Sequence, residues 1–194
     1  MQMACGDVRT DQLHALELKH SRVHEFASII KAISFRENGT FQATPQGIRI
    51  LVDDHHCEQV LDFEFDTEDV TFQAIMKPHM LKEAIKELDA SSSTVTLSVT
   101  SDELLLTTTG EIGTAVTKFP RCSEQFERLQ CAEPVTHQYL ISFIKNMTTA
   151  FAIANKVSLR CDSRGVLSAQ FMVEPVEHKQ IYIEFYCAPH IDEY

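Results

Sequence analysis

Tryptophan is absent from the 194 residues, so aromatic packing rests on Phe, of which there are 12. No apolar run approaches the roughly 18 residues that a membrane span needs, and no membrane partner is expected. Met1 to Thr10 holds no apolar stretch, so a secretory signal is not expected. Six cysteines, at positions 5, 57, 122, 131, 161 and 187, include no C-x-x-C pair. In a chain able to build its own core they read as reduced intracellular thiols, not as a disulfide framework. No G-x-S-x-G, P-loop or G-x-G-x-x-G occurs, and nothing positive supports an enzyme or a cofactor. Adjacent residues on a strand point to opposite faces, so His55-His56-Cys57 reads as a polar strand end and not as a metal cluster. Cys122 and Cys131 have no His at ligand spacing, and His137, Ser142 and the scattered Asp residues form no ordered triad.

Basic residues are also scarce: 17 Lys and Arg against 28 Asp and Glu, a net charge of −11. A uniform charge of that sign repels nucleic acid, so contact with it requires the cations to cluster. Hydrophobic residues at 44% and charged residues at 23% are ordinary globular values. The length suits one large domain or two small ones.

A repeated order of elements is the strongest pattern. His14 to Leu18 alternates as a strand, and a helix follows from Ser21 with Val23, Phe26, Ile29, Ile30 and Ile33 on one face. Thr40–Thr44 and Ile48–Val52 read as a hairpin around Pro45-Gln46-Gly47. The order recurs with a strand at Val70–Met76 and a helix at Lys77–Leu88 that has Pro78 in its first turn. Strands follow at Thr94–Val99, Leu104–Thr108 and Thr114–Phe119. It recurs again with a strand ending at Ile141 and a helix at Ser142–Ala154. Strands at Val157–Arg160 and Val166–Met172 surround Ser163-Arg164-Gly165, and Gln180–Tyr186 is the last. The hairpin turns at Gly47, Glu103 and Gly165 lie roughly 60 residues apart, so one supersecondary unit is used several times. Such units bury their helices on one face of a continuous sheet. Pro120 to Pro134 reads as a polar connector. Asp53 to Asp69 is acidic, with Leu61-Asp62-Phe63-Glu64-Phe65 alternating as an extended linker.

The cations gather on the helices. Lys82 and Lys86 are four apart and share a face, opposite Leu81, Ala84, Ile85 and Leu88. Lys31 sits on the first helix and Lys145 on the third. A solvated helix face is the plain alternative for these lysines.

Several segments resemble a known family. FASIIKAISFRENGTFQATPQGIRILV (Phe26 to Val52), LDFEF (Leu61 to Phe65), KVSLRCDSRGVLSAQFM (Lys156 to Met172) and IYIEFYCAP (Ile181 to Pro189) are similar to the Rad-one subunits of the heterotrimeric checkpoint clamp, the nine-one-one clamp. The resemblance implies an α+β sliding-clamp fold like that of proliferating cell nuclear antigen, built from βαβββ repeats. It implies helices lining a hole around duplex DNA and sheets outside. Three of the usual four repeats are present: the end of repeat one and all of repeat two are missing between about Cys57 and Leu61. The expected division is an incomplete N-terminal clamp domain over 1–60, a connector over 61–69 and a C-terminal clamp domain over 70–194.

The same resemblance implies a nuclear, non-enzymatic checkpoint-clamp subunit. Its expected partners are two other clamp subunits, a clamp loader, double-stranded DNA without sequence preference, and checkpoint and repair proteins. Lys31, Lys82, Lys86 and Lys145 are the expected DNA-facing residues, bound through phosphates and not bases. Leu61, Phe63 and Phe65 form the candidate connector site, with packing of the Phe rings onto the sheet as the alternative. Thr114, Val116 and Lys118 mark the expected subunit-interface edge. A truncated adaptor that binds one clamp partner without closing on DNA, and a small hydrolase, are the rival readings.

Overall fold

The computed structural model describes residues 23–44, 47–52, 65–174 and 181–191. The expected strand at His14–Leu18, the His55-His56-Cys57 run, and Leu61 and Phe63 of the connector lie outside the described residues. Apolar spacing of 3.6 makes Val23–Ile33 a helix, α1, followed by the antiparallel pair β1 (Thr40–Thr44) and β2 (Gly47–Leu51). β3 (Val70–Met76) alternates, with Phe72, Ala74 and Met76 buried. α2 (Pro78–Lys86) starts on Pro78 and buries Pro78, Leu81, Ala84 and Ile85. Three strands follow in a meander: β4 (Thr94–Val99), β5 (Glu103–Gly110) and β6 (Gly113–Pro120).

After β7 (Phe126–Cys131) and β8 (Val135–Leu140) come α3 (Ile141–Asn146) and a 3-10 segment, η1 (Met147–Ala152). β9 (Lys156–Asp162), β10 (Leu167–Val173) and β11 (Ile181–Cys187) complete the described elements.

The strands form a five-stranded sheet, β11-β10-β9-β3-β7, a four-stranded sheet, β6-β5-β4-β8, and the separate β1-β2 pair. The expected continuous sheet is therefore split. In the units β3-α2-β4-β5-β6 and β8-α3-β9-β10-β11, each lead strand joins the other unit's sheet. β3 pairs with β9, and β8 pairs with β4. This exchange ties the two units into one body, with residues of both sheets in one buried apolar cluster.

Two elements differ from the sequence reading. The polar connector over Pro120–Pro134 contains β7, which pairs with β3. Its register shifts by one residue, Ile75 facing Arg128 and Met76 facing Phe126, so the strand bulges at Glu127. The third helix is α-helical only to Asn146. There the Thr148 hydroxyl bonds to the Lys145 carbonyl at 2.6 Å, a local bond that competes with helical geometry.

α1 belongs to the same helical layer, for it packs on η1, as do α2 and α3. Ala32 is buried, and Ile29, Ile33 and Phe35 rest on the main core. The Thr149 hydroxyl donates to the Ala32 carbonyl at 2.9 Å, and the rings of Phe35 and Phe185 are 6.2 Å apart.

Candidate nucleic-acid interface and sheet edge

The apolar faces of the helices turn to the core, so their polar residues are left outward. On α2 the outward positions are His79, Lys82, Glu83 and Lys86. Lys86 and Glu83, one turn apart, form an ion pair at 2.8 Å with both side chains half-exposed. The Lys86 ammonium beside it holds the Glu83 carboxyl below the ordinary carboxylate range. Lys82 is partly buried, while Lys31 and Lys145 are exposed in the last turns of α1 and α3. Cations suit helix C-terminal turns because the carbonyls there carry partial negative charge.

The four lysines named from sequence all lie on helices of this layer. Lys77, at the N-cap of α2, joins them and was not singled out. Across α1, α3, η1 and the stretch 77–87, five lysines stand against three glutamates, Glu25, Glu83 and Glu87. On a chain of net charge −11 this is a local reversal of sign. Clustered surface cations in general attract phosphates electrostatically, with a strength that depends on salt.

β6 closes one end of the four-stranded sheet, and beyond it no strand pairs among the described residues. Its register with β5 runs unbroken from Glu103–Pro120 to Gly110–Gly113. Thr114, Val116 and Lys118 are exposed, Val116 by 48%. Regular edge strands present unpaired backbone groups to whatever chain arrives.

Phe65 takes the packing role. Its side chain is buried, its ring lies 6.0 Å from that of Tyr186, and the Arg160 guanidinium sits 5.1 Å over its centroid. Arg160 is itself fixed by Glu184 at 2.5 Å and by the Ser168 hydroxyl at 3.1 Å. Sequence reasoning missed this anchor because Arg160 lies nearly a hundred residues from the connector. Its one local signal was its place on the polar face of β9, in step with Lys156 and Ser158 and alternating with Val157, Leu159 and Cys161. Among the described residues no group of His, Cys, Asp and Glu is placed to hold a metal ion, and no helix is long and apolar enough to cross a membrane.

Comparison with known proteins agrees with this architecture. The family described as Repair protein Rad1/Rec1/Rad17 matches residues 56–173, more than half of the chain. The chain is 35% identical to the cell cycle checkpoint protein RAD1 homolog mrt-2 of Caenorhabditis elegans, over 94% of this chain and 73% of that protein. It is 33% identical to the human cell cycle checkpoint protein RAD1, over 68% of this chain and 48% of that protein, so it aligns with about half of the human relative. A DNA polymerase sliding clamp of Methanopyrus kandleri is 25% identical over 74% of this chain. On these matches, and on an α+β body with its helices gathered in one layer against two sheets, the chain belongs to the Rad1/Rec1/Rad17 repair-protein family and has the sliding-clamp fold.

Proposed function

We propose that the chain is a non-catalytic subunit of a DNA-damage checkpoint clamp, acting in the nucleus. In this reading it helps to enclose duplex DNA and offers checkpoint and repair proteins a surface to bind. The supporting observation is the reversal of charge on the helical layer of an acidic protein. Lys31, Lys82, Lys86 and Lys145 contact phosphates, and β6 pairs with a companion subunit through Thr114, Val116 and Lys118. The connector over 61–69 joins the N-terminal part to the body over 70–194, and Phe65 anchors it to the outer face of the five-stranded sheet. Leu61 and Phe63 are the connector residues assigned to effector proteins, and a clamp loader places the assembled ring on DNA.

The test uses the chain assembled with its two companion subunits and loaded on closed duplex DNA. Exchange of Lys82 and Lys86 for Glu is expected to shorten retention by about tenfold or more at low salt, since two favourable phosphate contacts become repulsive. The fold should survive, because both side chains reach solvent. Unchanged retention at low salt removes these residues from the interface.

A second reading, a non-ring adaptor that binds one clamp partner, draws on α1 lying directly on η1, which gathers the described helices into one body. Partner composition separates the two: a stable three-subunit complex supports the ring, and a two-subunit complex supports the adaptor.

A further inference from the structure

We propose that Glu83 limits how tightly α2 holds DNA, because its carboxylate occupies the Lys86 ammonium and competes with phosphate for it. The proposal rests on the reading in which Lys82 and Lys86 meet duplex phosphates, and it adds a residue of opposite sign that tunes that contact. His79 lies one turn before Glu83, Lys86 one turn after it, and Lys82 adjoins it, so all four share the outward face of α2. Among the described residues, Lys86 is the one of the four assigned lysines that forms an ion pair, its Nζ donating to Glu83 Oε1 at 2.8 Å. That bond, with the added charge of Lys82, holds the Glu83 carboxyl below its ordinary range, so it is ionised wherever the lysines are.

The fold has little use for the pair. The side chains are 50% exposed at Lys86 and 59% at Glu83, and ion pairs this open contribute little stability. An ammonium on a flexible stem can turn from carboxylate to phosphate. The turn gives up the contact with Glu83 and leaves the carboxylate bare beside a second anion. With Glu83 in place, α2 therefore gains from about one phosphate contact and not two, and each such contact adds about 0.9 to the slope of log affinity against log salt. A looser hold of this nonspecific kind leaves a protein free to slide along the duplex.

The test measures binding of the chain, assembled with its two companion subunits, to a linear duplex of mixed sequence between about 50 and 200 mM salt. Glu83→Gln keeps the shape and removes the charge. It should bind about fivefold more tightly at about 50 mM salt, with a slope steeper by about one, and the gain should nearly vanish at about 200 mM. Glu83→Asp keeps the charge and should bind as the wild type does. In E83Q/K86Q the gain over Lys86→Gln should shrink by about half or more, since no ammonium is left to release. Thermal midpoints should agree within about 2 °C, which separates a charge effect from a change in fold. A Glu83→Gln protein that binds no tighter, a gain equal at every salt concentration, or a gain that survives intact without Lys86 overturns the proposal. Exchange of both Lys82 and Lys86 for Glu tells which reading has failed. If it weakens binding while Glu83→Gln changes nothing, the DNA contact stands and the attenuation falls. If neither changes binding, the DNA reading falls and the proposal with it.

Discussion

Phe171 is fully buried in β10 and meets two other rings edge-on, Phe151 at 4.8 Å and Phe185 at 5.7 Å. With no tryptophan, this Phe cluster carries the aromatic packing under η1 and α1. Phe171→Ala is expected to lose about 3–5 kcal/mol, through the ring's transfer energy and the cavity left behind. Urea unfolding checks it: the midpoint should fall at constant slope. Cys161 gives a second prediction. Burial pushes its thiol up to about 11, and burial likewise pushes the Tyr139 hydroxyl, which donates to the Gly165 carbonyl at 2.8 Å, above its ordinary range. An unfolded thiol ionises near 9, so above that pH the unfolded chain holds fewer protons than the folded one. Stability is therefore complete below about pH 9 and declines through pH 11. Cys161→Ala should flatten part of that decline in thermal melts taken across the window. The sequence showed that these residues are apolar or small on alternating strands, but a thiol's neighbours come from elsewhere in the chain.

At the scale of elements, legibility followed regularity. β3, β4 and α2 were readable because their apolar positions keep one period, and their limits agree with the reading to within a few residues. β7 was not. Phe126 and Leu129 both lean toward the core although three residues apart, which a strand of period two forbids unless it bulges between them. The bulge at Glu127 removes the alternation that would have revealed the strand. The β9–β10 turn was legible through Gly165, and the structure adds why glycine is needed there. Its φ is +85°, and a Cβ would lie 2.7 Å from the His137 ring. Asp162, fully buried, holds the turn by accepting from the backbone of Arg164 and Val166. Gly165→Ala should cost about 2 kcal/mol or more in thermal or urea unfolding, from both backbone strain and the contact. Adding His137→Ala should recover the contact's share and leave the strain. Full recovery would show that φ does not matter here.

For the molecule as a whole, the proposed DNA contact sets the lysines of the helical layer against the charge of an acidic chain. Salt is the measurement that separates them. If Lys82 and Lys86 neutralise phosphates, exchanging both for Glu should lower the salt slope of DNA binding by roughly one to two. The lower figure reflects the share of Lys86 charge held by Glu83. A slope that does not move places the DNA elsewhere on the protein. The sequence alone determined the strand-helix-strand order of the last two units, the apolar faces of the first two helices and the gathering of lysines on helices, since each is a property of local spacing. The tertiary structure alone decided that β3 and β8 exchange sheets, that α1 lies on η1 and that Arg160 seats Phe65. Each of these is a choice of partner between distant stretches, and the energy of a strand pair or a buried ring depends on what it meets, which no local period encodes.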